Sequence, residues 1–250
     1  MKIYAVTNQK GGTGKTTTAA AITQAAARNG QRTLAIDLDP QGNLSFLLAA
    51  DTSRAGSFEM LTGGAAAADV IQEAGGFSII PAAWSLQTIT SARGSARRLQ
   101  DALEPIKAAF DVIVIDTPPT AGELQYNALQ AATGLLIPLQ ATAFDLQALY
   151  QVIDTAEQIR RSNPDLKYTG VILTRYTGRS IIARHMRDTI KKQAEAAGVP
   201  YLGEIRQGVA IPEAEALQRS LFDYAPRSNP AADYLGIYEK IMEQEGKQHE

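Results

Sequence analysis

The stretch NQKGGTGKTT, residues 8–17, sets two lysines five positions apart among glycines and threonines. A phosphate-binding loop ordinarily reads G-x-x-x-x-G-K-[ST]. Gly14, Lys15 and Thr16 supply its end, but Gln9 stands where its first glycine belongs, and Lys10 precedes the pair Gly11-Gly12. Glycines at this spacing let successive backbone N–H groups turn toward one anion, and a helix starting at Thr16 adds the positive end of its dipole. Gly11, Gly12, Thr13, Gly14, Lys15, Thr16 and Thr17 are therefore the candidate phosphate contacts. Lys15 is expected to reach the β- and γ-phosphates of a nucleotide, and the Thr16 hydroxyl to coordinate Mg²⁺.

Such a loop needs carboxylates nearby, because ligands of open α/β sheets lie outside the carboxyl ends of the strands. AIDLDPQGN places Asp37 and Asp39 at the end of one apolar run, and VIVIDTPPT places Asp116 at the end of another. An aspartate in the latter position holds Mg²⁺, often through water. Three carboxylates beside one phosphate loop point to a shared magnesium site, with Thr16, Asp37 and Asp116 as its candidate ligands.

The elements that must position these groups alternate along the chain. Apolar runs at 2–7, 32–37, 77–82, 111–116, 134–139, 168–174 and 200–205 read as strands, several of them apolar throughout, as expected for strands covered on both faces. Helical patterns lie between them near 16–29, 95–109, 123–132, 144–162, 180–197 and 230–244. This alternation implies an α/β fold with right-handed crossovers, a mostly parallel twisted sheet and helices on both faces. Residues 49–76 read as surface loop and short helix, residues 243–250 as a frayed tail, and residues 1–250 as one domain.

Composition narrows the chemistry. The chain has 250 residues, 45% hydrophobic and 20% charged, a formal net charge of −2 and no cysteine. Disulfides, thiolate zinc sites and iron–sulfur clusters are thereby excluded, and a reducing cytoplasm suits the chain. Two histidines, His185 and His249, are too far apart to suggest a metal cluster. No apolar run approaches the ~20 residues of a membrane-spanning helix.

Taken together, KGGTGKTT, DLDPQGN and DTPP resemble the ParA/MinD family of deviant Walker-A ATPases, and most of all its short, Soj-like ParA members. Segments 127–149 and 211–235 share in the resemblance, which spans nearly the whole chain. It implies a P-loop NTPase fold, ATP and Mg²⁺ as cofactors, and a homodimer formed on ATP binding. Lys10 matches the family's signature lysine, which reaches across the dimer to the partner's phosphates. A second cation can stabilise the transferred phosphoryl group in this way only if two nucleotide sites face each other. The resemblance further implies that Asp39 orients the attacking water, that Asp37 supports the metal shell, and that Asp116 with Thr117-Pro118-Pro119 senses the γ-phosphate. Thr174, Arg175, Pro212 and Glu213 fall where relatives approach adenine, although relatives often carry asparagine where LTRY stands here.

Family members use ATP-driven pairing to bind DNA or a membrane, and those that bind DNA work with a ParB-like partner that stimulates hydrolysis. Residues 175–192 hold six basic side chains and one acid in an otherwise acidic chain. On a helix from about residue 180, Arg184, Arg187 and Lys191 share a face with Lys192 beside them, a candidate footprint for nonspecific double-stranded DNA. Before the Pro212 segment only Arg206 is basic, where relatives carry more. The final residues are too acidic for a membrane anchor, so nucleoid association is the expectation and a MinD-like role on a protein or membrane cargo the alternative.

Overall fold

A computed structural model describes residues 1–89 and 95–247. The strands are β1 (Lys2–Val6), β2 (Thr33–Asp37), β3 (Gln72–Ala74), β4 (Phe77–Ile80), β5 (Val112–Asp116), β6 (Gly134–Leu139), β7 (Lys167–Tyr176) and β8 (Tyr201–Arg206). The helices are α1 (Lys15–Arg28), α2 (Asn43–Leu47), α3 (Ser57–Thr62), α4 (Arg98–Leu103), α5 (Glu123–Ala131), α6 (Ala143–Arg160), α7 (Ile181–Ala196), α8 (Ala210–Ala216), α9 (Leu221–Tyr224) and α10 (Asn229–Lys247). All eight strands form one sheet in the order β3-β4-β2-β5-β1-β6-β7-β8, parallel except for the β3–β4 pair.

The continuous apolar strands follow from this layering, because alternate side chains enter two separate cores. Ile3, Leu34, Ile36, Ile113, Ile115, Leu135 and Ile137 meet α3 to α7 on one face. Tyr4, Val6, Ala35, Val112, Val114 and Leu136 meet α1, α2 and α8 to α10 on the other. Both sets are buried, so neither face tolerates a polar residue until the strand ends. Parallel pairing then aligns those ends. Val6 and Asp37 are both register partners of Asp116, which brings the phosphate loop and two carboxylates to one edge.

Three expectations need correction. Residues 49–76 are more than surface loop: Met60, Leu61, Ala67 and Val70 join the core, and β3 returns antiparallel on β4. Its two-residue turn, Gly75-Gly76, takes positive φ at both positions, a conformation glycine adopts without steric cost. The helix expected over 95–109 is confined to α4 with a 3₁₀ turn on either side, because Pro105 has no N–H to continue it. Residues 243–247 continue α10 rather than fraying, while 248–250 lie outside the described residues. Helix α10 is held by Tyr234, Ile237, Tyr238 and Ile241, a buried stripe at helical spacing.

Candidate nucleotide-binding site

Between β1 and α1 the loop is strapped to its neighbours by side chains. Asn8 Nδ2 donates to the Pro138 carbonyl at 2.7 Å, and its Oδ1 accepts the Lys10 N–H at 3.0 Å. Gln9, the residue that breaks the motif, donates from Nε2 to Thr155 Oγ1 of α6 at 3.0 Å. Gln140 Nε2 donates to the Gly12 carbonyl at 2.8 Å. Gly12 and Gly14 sit at φ 75° and 82°, where a side chain is strained, and a Cβ on Gly14 would stand 3.2 Å from Thr174 Cγ2. The loop therefore needs glycine at 12 and 14, and an anchoring amide suffices at 9.

Lys15 begins α1, is only 6% exposed, and donates from Nζ to the Lys10 carbonyl at 3.2 Å. Burial lowers its pKa, opposed by the charges of Asp116 and Asp39. Asp37 is wholly buried. Its Oδ1 accepts the Asp39 N–H at 3.0 Å, and its Oδ2 accepts the Ser45 N–H at 2.8 Å and hydroxyl at 2.7 Å. Even so, burial raises its pKa to about 6. Asp39 Oδ1 accepts the Gln41 N–H at 3.0 Å. Asp116 Oδ1 accepts the Thr117 N–H at 3.0 Å, but its Oδ2 is buried with no partner. Burial, then the neighbouring Asp37 charge, drives the Asp116 pKa well above the carboxylate range, while the nearby Thr16 hydroxyl and the Lys15 charge oppose the rise.

This donor set fits a hard divalent cation held jointly with phosphate. Asp39 and Asp116 act on one buried lysine, Asp37 lies beside both of them, and Asp116 holds an oxygen with nothing to bind. Among the described residues no three His, Cys, Asp or Glu side chains could enclose a metal by themselves. Mg²⁺ needs no such cage, since it is usually held by one or two carboxylates, water and phosphate oxygens. Asp116 and the Thr16 hydroxyl would supply the protein's share.

Beside Gly14 and Thr17 opens a cavity of about 200 Å³ lined also by Thr174, Arg175, Gln207, Pro212 and Glu215. Thr174, Arg175 and Pro212 thus meet in one pocket contiguous with the phosphate loop. Thr174 is nearly buried, its hydroxyl 2.8 Å from the Thr13 carbonyl and 3.2 Å from that of Leu139, so it braces the loop. Glu213 is directed elsewhere and accepts the Tyr224 hydroxyl at 3.0 Å. Glu215, which the sequence did not single out, takes its place and accepts the Thr17 hydroxyl at 2.6 Å. Arg175 lies at φ 50°, a left-handed conformation that asparagine enters more readily than most residues.

The AAA_31 family, described as an AAA domain, matches residues 1–168. The chromosome-partitioning ATPase Soj of Thermus thermophilus is 33% identical over 246 residues, 95% of this chain and 94% of Soj. The chromosome partitioning protein ParA of Caulobacter vibrioides is 34% identical over 256 residues, 98% of this chain and 95% of ParA. The chain belongs to the ParA/Soj family of P-loop ATPases. Among solved structures it is similar to the cobyrinic acid a,c-diamide synthase of Mycobacterium smegmatis crystallised with an ATP analogue and magnesium, with a TM-score of 0.86, 28% identity, and coverage of 99% of this chain and 97% of that one.

In this ParA-like chain the two loop lysines diverge. Lys15 turns inward. Lys10 turns to the rim, where its Nζ donates to Asp145 Oδ2 at 2.7 Å in the first turn of α6. The sequence held a signal for Asp145 in TAFD, where Thr142 caps α6 and accepts the Asp145 N–H at 3.2 Å. The basic residues of α7 also differ from one another. Arg184 Nη1 donates to the Gly178 carbonyl at 2.6 Å, Arg187 pairs with Asp188 at 2.7 Å, and Lys191 lies 4.0 Å from Glu195. Lys192 is exposed. Arg206 is held by Asp233 at 2.7 Å and does not extend this surface.

Two outcomes follow from the site's strain. Asp116→Asn removes a buried charge whose Oδ2 has no partner, so the nucleotide-free variant should melt a few degrees above the parent chain. A raised carboxyl pKa lowers folded-state stability as pH climbs above the ordinary carboxylate value of about 4, so the gap should widen with pH in a differential scanning fluorimetry series. Arg175→Asn relieves a positive φ worth of order 1 kcal/mol, and thermal melts should rise by roughly 2–4 °C.

Proposed function

We propose that this chain is a Mg²⁺-dependent ATPase of DNA partition, active as an ATP-bridged homodimer and stimulated by a ParB-like protein. One observation carries the reading. Of the two lysines in the phosphate loop, Lys15 is buried against its own chain's carboxylates, whereas Lys10 stands at the rim with its side chain 35% exposed. A rim lysine can meet a triphosphate that faces it from a second copy. The partition names of the Soj and ParA relatives, and the ATP analogue and magnesium of the M. smegmatis structure, support the same reading.

In this reading Thr174, Arg175, Pro212 and Glu215 line the adenosine pocket, and Gly11 to Thr17 hold the phosphates. Asp116 and Thr16 hold the metal, with Asp37 fixing the turn behind them. Held there by Asp116 and Thr16, Mg²⁺ would supply positive charge to the phosphates. Asp39, nearly buried on the turn that Asp37 braces, orients a water for attack on the γ-phosphorus and accepts its proton. The bond to the bridging oxygen breaks as the new one forms, leaving ADP and phosphate. Lys15 and the partner copy's Lys10 offset the developing charge. Thr117, whose hydroxyl donates to the Val6 carbonyl at 2.9 Å, couples the Pro118-Pro119 turn to the base of the loop.

DNA is favoured over a membrane as the surface. The apolar stripe of α10 is spent on the protein's own core, and no helix among the described residues is long and apolar enough to cross a membrane. Exposed Arg184, Lys191 and Lys192, with half-buried Arg187 on the same helix, offer phosphate contacts that serve nucleoid association.

Lys15→Ala should abolish nucleotide binding. Lys10→Ala should bind ATP normally yet neither pair nor turn over. Asp39→Ala should hold ATP in a stable dimer, read by light scattering after size-exclusion chromatography, and a variant that stays monomeric in saturating ATP would refute the two-chain site. Reversing Arg184 and Lys192 to Glu should weaken ATP-dependent DNA retention about tenfold and flatten log K against log [salt] by roughly 2, at ~0.9 per lost phosphate contact. Unchanged retention would dismiss α7 as the footprint, and ATP-dependent pelleting with liposomes would favour a membrane cargo.

A further inference from the structure

The contact between Lys10 and Asp145 has features that a surface ion pair lacks. The Asp145 carboxylate is fully buried, and its Oδ1 has no hydrogen-bond partner. Its Oδ2 receives both the Lys10 ammonium at 2.7 Å and the Thr142 hydroxyl. The cap made by Thr142 fixes the carboxylate at the start of α6, and the bond from Gln140 to the Gly12 carbonyl fixes the loop across from it. Lys10 is thus held on its own chain by a rigid, desolvated anion. A lysine in this position cannot at the same time reach a facing triphosphate.

We propose that Asp145 is a positioning residue that sets how much ATP the chain needs before two copies pair. This rests on the two-chain reading above. Asp145 and the facing nucleotide compete for one ammonium. Without Lys10, the carboxylate is left in a dry site with Thr142 as its remaining donor to Oδ2, which opposes opening. The triphosphate must therefore supply enough negative charge, at close enough range, to draw Lys10 away. The γ-phosphate supplies most of it, so the pair favours ATP over ADP as the signal for assembly. Lys10 keeps partial solvent contact, so the hold is worth about threefold per chain, and roughly tenfold when both copies must open.

The test uses the hydrolysis-blocked Asp39→Ala chain, titrated with Mg-ATP while dimer formation is followed by light scattering. Adding Asp145→Asn should lower the ATP concentration at half-maximal pairing roughly threefold, since each pair takes up two ATP, with ADP affinity unaltered. In the nucleotide-free chain Asp145→Asn should also raise the acetylation rate of Lys10 toward that of exposed Lys192, which a purely structural role would not produce. A midpoint that is unmoved or raised in Asp145→Asn overturns the proposal while the two-chain reading stands. A parent chain that never pairs defeats the reading beneath it. Should the variant fail to fold, amine acetylation of the nucleotide-free natural chain, read by mass spectrometry, decides the matter. Lys10 should react at least several-fold more slowly than exposed Lys192, and equal rates overturn the proposal.

Discussion

At the carboxyl edge of the sheet, three aspartates and one lysine share a space from which water is largely withdrawn. Asp37, Asp39 and Asp116 outnumber Lys15, and the sheet's register leaves them no room to separate, since Asp37 and Asp116 are direct partners across β2 and β5. Burial raises two of the acids and lowers the base, so each group resists the charge that catalysis requires of it. A divalent cation offsets the surplus of carboxylates, and a polyphosphate meets the buried ammonium. The rest of the fold serves to hold the four groups still until then, and the two apolar cores that make the strands inflexible are the means.

Much of this was legible in the residues. Glycine spacing, the lysine–threonine pair and aspartates closing apolar runs each follow from a local chemical need, so they could be read without coordinates. Strand–helix alternation was equally plain, because strands covered on two faces admit almost no polar residue. What stayed hidden depends on distant contacts. Gln9 looked like a defect until Thr155 of α6 proved to anchor it. Glu213 and Glu215 are equivalent in type and two residues apart, and only the turn of α8 decides which one meets Thr17. The antiparallel β3 strand was missed although Gly75-Gly76 signals its turn, because three residues are too few to show a period.

The basic helix illustrates the same divide. Counting charges found α7, whereas distances separate its members: Arg187 is engaged by Asp188, Arg184 braces the loop before the helix, and Lys192 is left outward. A stripe in the sequence is a sum over side chains, but an anion meets first those, such as Arg184 and Lys192, with no carboxylate already in place.

The two rims of the sheet bear on how copies of this chain can meet. At one end β3 is three residues long and runs against the grain of its neighbours. At the other, the Arg206 N–H on β8 is taken by Asp233 at 2.9 Å. The Leu202 carbonyl of the same strand is taken by Lys240 Nζ at 2.6 Å, so both rims are blunted against strand-by-strand accretion. Growth of open-ended ribbons through sheet edges is thereby opposed at both ends of the fold.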